Sequence, residues 1–74
     1  MTNEDISATA YNYGRNFELR KRSVADNSEY QEYDALCMAL FRELQDVGAM
    51  DRFGILSLDY ESDFRAGRDS VSEF

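Results

Sequence analysis

The chain has no proline, no histidine, one cysteine and one lysine among its 74 residues. Without histidine it lacks the commonest general base and metal ligand. With Cys37 alone, no intrachain disulfide can form, and a secreted disulfide scaffold is excluded. The longest apolar run, Ala35–Phe41, falls far short of the roughly 20 residues that span a bilayer. No basic start leads into an apolar stretch, so no signal peptide is read, and a cytoplasmic location is expected. The absence of proline agrees with a mostly helical chain. Seven of the eight basic residues are arginine. Arginine favours bidentate pairing and interfaces, and genomic base composition explains the bias equally well.

Acid is what the chain has, and it is unevenly placed. Residues 1–25 carry Arg15, Arg20, Lys21 and Arg22 against Glu4, Asp5 and Glu18, a net +1. Residues 26–74 carry four arginines against twelve carboxylates, a net −8. Such a surface repels nucleic acid and anionic lipid and attracts basic protein surfaces. With 43% apolar residues and ten aromatics, the chain is too hydrophobic for an acidic disordered tail. A single domain over residues 1–74 is expected, with the small net stability of a core this size, about 3–5 kcal/mol.

Apolar spacing predicts an all-α fold, a three-helix bundle. The middle helix is read from about Glu29 to Val47. Ser28 and Gln31 have capping-box spacing, Asn27 is an alternative cap, and Gly48 sits at the C-cap position. Tyr33, Leu36, Cys37, Leu40, Leu44 and Val47 form its stripe, centred on Leu40. The first helix is read from Asn3 or Glu4 to Arg20, on Ile6, Ala10, Tyr13 and Phe17, with Gly14 counting against it by about 1 kcal/mol. A strand through Phe17–Val24 competes, because Tyr11, Tyr13, Phe17 and Leu19 also alternate. In the third element Phe53, Leu56, Tyr60 and Phe64 step helically, whereas Leu56, Leu58 and Tyr60 alternate as a strand would. Residues 68–74, polar and following Gly67, read as a frayed tail.

No catalytic, cofactor or metal site is read, and no enzyme. Cys37 lies in an apolar stripe, where a thiol is structural rather than nucleophilic. The run Asp59-Tyr60-Glu61-Ser62-Asp63 begins like a calcium loop, but its sixth and twelfth positions are Phe64 and Ser70 rather than Gly and Glu. Arg20, Lys21 and Arg22 complete a helix C-terminus, and direct DNA binding is opposed by the acidic remainder.

Two candidate surfaces follow. The first is acidic: Glu29, Glu32, Asp34, Glu43 and Asp46 on the middle helix, and Asp59, Glu61 and Asp63 on the next element. Its bland alternative is a solvated face. The second is apolar and cationic: Tyr11, Arg15, Leu19 and Arg22 in a band on the first helix, opposite its core stripe, and Met38, about 140° from the stripe of the middle helix. Tyr, Arg and Met are enriched at interface cores, although scattered exposed apolar residues are ordinary.

These features point to a stoichiometric binding protein for a basic, nucleic-acid-handling partner, a nucleic-acid mimic. Its size, its acidity and the residues it lacks have the gross character of inhibitors carried by phages and mobile elements, anti-CRISPR proteins among them. A structural or assembly adaptor, as a homodimer or docked on a partner through the apolar face, is the alternative. An antitoxin-like regulator is a third.

Overall fold

A computed structural model of the chain describes residues 2–72, and its fold is the three-helix bundle read from the spacing. Helix α1 spans Asn3–Arg22, α2 spans Asn27–Asp46 and α3 spans Leu58–Ser72. Helix α1 begins with a capping box: the Thr2 hydroxyl accepts the Asp5 N–H, and the Asp5 carboxylate accepts the Thr2 N–H. These hydrogen bonds hold the Asp5 carboxyl below its ordinary value. The helix continues through Arg22, so the strand through Phe17–Val24 does not form. Ser23 closes it, its hydroxyl donating to the Leu19 carbonyl at 2.7 Å.

The start of α2 is set by Asp26, whose carboxylate accepts the Glu29 N–H at 3.2 Å. Neither Ser28 nor Asn27 is the cap. A carboxylate in that place also meets the positive end of the helix dipole, which a hydroxyl does not. At the other end Gly48 takes φ +79°, as the C-cap position demands. The stripe of α2 is rotated from the one expected. Cys37 and Leu44 are buried, Tyr33, Leu40 and Val47 are half-buried, and Leu36 is exposed. Phe41 turns inward instead, its ring 6.3 Å from that of Tyr13.

Residues 47–57 are neither the helix nor the strand expected around Phe53–Tyr60. The Asp51 carboxylate accepts the N–H groups of Phe53 and Ile55, both at 2.9 Å, and wraps the chain into a tight loop. Gly54 sits in that loop at φ +82°. An isolated antiparallel bridge joins Met50 to Leu56, and the Ser57 N–H donates to the Ala49 carbonyl. Ala49 and Met50 are thereby buried against Ile6, Ala10 and Leu44.

Helix α3 then runs through Gly67 to Ser72, so residues 68–72 are not a frayed tail; Val71 is 1% exposed. Residues 73–74 of the expected tail lie outside the described residues. Gly67 does not stop the helix, because it meets α1 backbone to backbone. A Cβ built on Gly67 would collide with the Tyr11 carbonyl oxygen, and one on Gly14 with the Phe64 carbonyl oxygen. Helix α1 is therefore the central one, packed against both α2 and α3, while α2 and α3 do not approach each other.

Helix propensity alone predicts that Gly14→Ala and Gly67→Ala stabilise by about 1 kcal/mol each. The crossing predicts the opposite sign: each should destabilise by about 1–3 kcal/mol, as overpacking does. Urea denaturation of the two variants measures the sign directly.

Candidate functional site

Because α2 and α3 flank α1 without meeting, an open groove of about 460 Å³ lies between α3 and the loop before it, over one face of α1. Its floor is aromatic. Tyr13 packs against Phe64 at 5.4 Å and Phe17 at 6.2 Å between ring centroids, and Phe17 meets Phe64 at 5.7 Å. Burial raises the Tyr13 hydroxyl above its ordinary pKa. Ile55, Leu56 and Leu58 form a wall, and Glu61, Arg65 and Arg68 border the groove from α3.

This arrangement divides the acidic candidates. Phe41 marks the groove side of α2, since its ring meets Tyr13 and stands against Gly54. Asp34 shares that side and accepts a hydrogen bond from Arg20 at 2.9 Å. Burial of Arg20 is the largest single effect and works against its charge, but the hydrogen bond to Asp34 and the nearby Cys37, Asp34 and Tyr30 groups together outweigh it, so its pKa rises. The pair is partly exposed and contributes less than about 1 kcal/mol. Glu61 is likewise paired, with Arg65 one turn on. Asp34 and Glu61 are therefore not free to meet a partner's cations.

The other six behave differently. At about 100° per residue, Glu29, Glu32, Glu43 and Asp46 fall within one arc of about 100° on the side of α2 turned from the groove. Asp59 and Asp63 fall on the flank of α3 opposite Glu61 and Arg65, the flank that also carries Ser70. Among the described residues none of these six has a cation within 4.0 Å. Glu29, Glu32, Asp46 and Asp59 are exposed; Glu43 and Asp63 are half-exposed.

The band expected on α1 is not a separate surface. The Tyr11 backbone forms part of the α3 crossing, and Arg15 donates to the Ser70 hydroxyl at 3.2 Å. Both side chains are half-buried beside α3, as is Leu19 on α1, and Arg22 is held by Glu18 at 3.1 Å. Met38 is 52% exposed, beside Phe41 near the groove. The cluster that the spacing concealed is Phe53, Ile55 and Leu58, at 74%, 66% and 85% exposure. Its signal was the Asp51–Gly54 turn pattern, which removes Phe53 from any helical face.

No protein family, curated protein or solved structure matches the chain. No helix among the described residues is long and apolar enough to cross a membrane. Among the same residues no group of carboxylates and thiol is placed to hold a metal ion.

Cys37 is buried, and that burial pushes its thiol above the ordinary value of 9.0. In the unfolded chain the thiol ionises near 9.0, while the folded chain keeps the proton to higher pH. Its contribution to stability is thus intact below that value and lost as pH rises past it. Native Cys37 should label slowly with a thiol reagent and rapidly in denaturant. Cys37→Ala should flatten the fall in melting temperature between about pH 8.5 and 10.5.

Proposed function

We propose that the chain is a stoichiometric binding protein whose carboxylate flanks on α2 and α3 engage a basic surface of a partner protein. The observation that carries this reading is the segregation of charge. Glu29, Glu32, Glu43 and Asp46 line one side of α2, Asp59 and Asp63 line one side of α3, and no cation among the described residues lies within 4.0 Å of them. A solubilising coat has no need of an ordered track, whereas a docking surface gains orientation from one.

The length of the track bears on what it imitates. From Glu29 to Asp46 the helix rises about 26 Å, and its four charges fall in two pairs, each about 4.5 Å apart along the axis, with about 16 Å between the pairs. A DNA duplex presents one charge per about 1.7 Å of axis. The track would therefore meet selected Arg and Lys side chains of a nucleic-acid-binding groove rather than replace each phosphate. An inhibitor of a nucleic-acid-handling complex would work in this way in the cytoplasm, as those carried by phages do, anti-CRISPR proteins among them. Only gross character supports that narrower class. The antitoxin-like alternative draws less support, because Arg20 and Arg22 are engaged by Asp34 and Glu18.

The partner is to be captured from a host lysate with the immobilised chain, identified by mass spectrometry and then titrated as a purified protein. Glu32→Lys, Asp46→Lys and Asp63→Lys together should weaken binding at least tenfold with unchanged circular dichroism. Raising salt from about 0.05 to 0.5 M should weaken the wild-type complex at least tenfold. Duplex DNA or RNA should compete. A partner that binds the reversed variant as well as wild type would refute the acidic docking surface.

A further inference from the structure

From the groove face we infer that this chain self-associates as a two-fold dimer, with the patch of Phe53, Ile55 and Leu58 and the adjoining groove as the interface and a second copy as its occupant. Three large apolar side chains within six residues, exposed at 74%, 66% and 85%, with only Arg52 stacked on the Phe53 ring, leave a surface of the kind that marks interfaces. Ile55 and Leu58 also line the open groove floored by Tyr13, Phe17 and Phe64, so a second copy's Leu58 or Ile55 has somewhere to insert.

Charge selects the occupant. The chain carries −7, and two copies repel each other wherever their carboxylate flanks approach. The groove face is the exception. Around it Arg52, Arg65 and Arg68 stand against Asp51, Glu61 and Asp69, three of each sign, with Arg65 paired to Glu61 and Arg68 to Asp69. The uncompensated carboxylates Glu29, Glu32, Glu43, Asp46, Asp59 and Asp63 all lie on flanks turned from it. In an isologous contact the same patch meets itself, so a face whose charges are already paired within each copy meets its like with little net repulsion. Groove-to-groove docking leaves the acidic flanks of both copies outward and far apart.

A two-fold contact adds much burial to so small a chain. A standard interface takes about 800 Å² from each partner, about a sixth of the 5014 Å² of accessible surface here. The monomer has reason to add such burial. Only seven apolar residues are buried among those described, and two of them are alanines. Oligomerisation is one of the usual supplements to a core this small.

The inference stands on a different face from the proposed acidic surface, and salt separates the two. Screening weakens an acid-to-base complex but strengthens the association of two like-charged copies through an apolar patch. Sedimentation equilibrium or size exclusion with light scattering on the full chain should give twice the 8.6 kDa monomer mass at high concentration. The dimer fraction should rise between about 0.05 and 0.5 M salt. Ile55→Asp with Leu58→Asp should give a monomer with an unchanged helical spectrum, because both side chains are solvent-exposed in the monomer. Val24→Asp, an equally exposed apolar position in the α1–α2 turn, should remain dimeric. A monomer mass at every concentration up to about 1 mM would overturn the second copy as occupant, in favour of a different protein. A dimer that survives the double aspartate variant would place the interface elsewhere and overturn the proposal equally.

Discussion

Everything else in this fold depends on the contact of α1 with α3 at Gly14 and Gly67. Each glycine lies where a side chain would strike the other helix's carbonyl oxygen, Phe64 in one case and Tyr11 in the other. The crossing is reciprocal, main chain against main chain. Such close approach is available only to glycine and suits weak Cα–H···O contacts between helices. Glycine in a helix interior costs about 1 kcal/mol relative to alanine. The packing of α3 on α1 offsets that cost twice over in one place. Helix α2, by contrast, meets α1 through side chains: Cys37, Leu44, Phe41 and the Asp34–Arg20 pair. With α3 drawn in and α2 at ordinary spacing, the two outer helices never meet.

That asymmetry gives the molecule its two faces. The groove between α3 and the 47–57 loop is floored by Tyr13, Phe17 and Phe64, and Phe41 of α2 meets Tyr13 beside it. Rings in edge contact fill it without sealing it, so apolar surface reaches solvent at Met38, Ile55 and Leu58. Of the four arginines in the acidic part of the chain, Arg65 and Arg68 border this groove and Arg52 stacks on Phe53 beside it. Glu29, Glu32, Glu43, Asp46, Asp59 and Asp63, with no cation within 4.0 Å among the described residues, are left to the far flanks. A net charge of −7 thus becomes a directional property rather than a uniform coat.

The helices were legible in the sequence because periodicity and capping agree for α1 and α2. Ile6, Ala10 and Tyr13 lie on the inner side of α1 as their spacing requires. The errors share one cause, that local signals do not say which neighbour a residue will meet. Gly14 and Gly67 read as a weak point and a stop, and only the crossing gives them a purpose. Leu40 looked central on α2 because the stripe included Leu36 and left out Phe41, whereas the covered side is turned toward Phe41. Leu44 lies deeper, at 0% exposure. Phe53 fell in step with Leu56 and Tyr60 by coincidence, and the Asp51 side chain takes it out of the helix through two N–H bonds. The acidic candidates were legible as types but not as a set. Asp34 and Glu61 are spoken for by Arg20 and Arg65, a long-range and a local pairing that sequence spacing alone does not rank.

The most direct test of this account is native-state hydrogen exchange resolved by residue. If α1 is the central helix, its amides from Ala10 to Phe17, covered on both sides by α2 and α3, should exchange slowest, at rates set by global unfolding. The amides of α2 should exchange faster, along with those of the 51–57 loop. Slowest exchange in α2 instead, with α1 opening independently, would mean that the middle helix is the centre of the bundle. The glycine crossing, and the two faces that follow from it, would then be wrong.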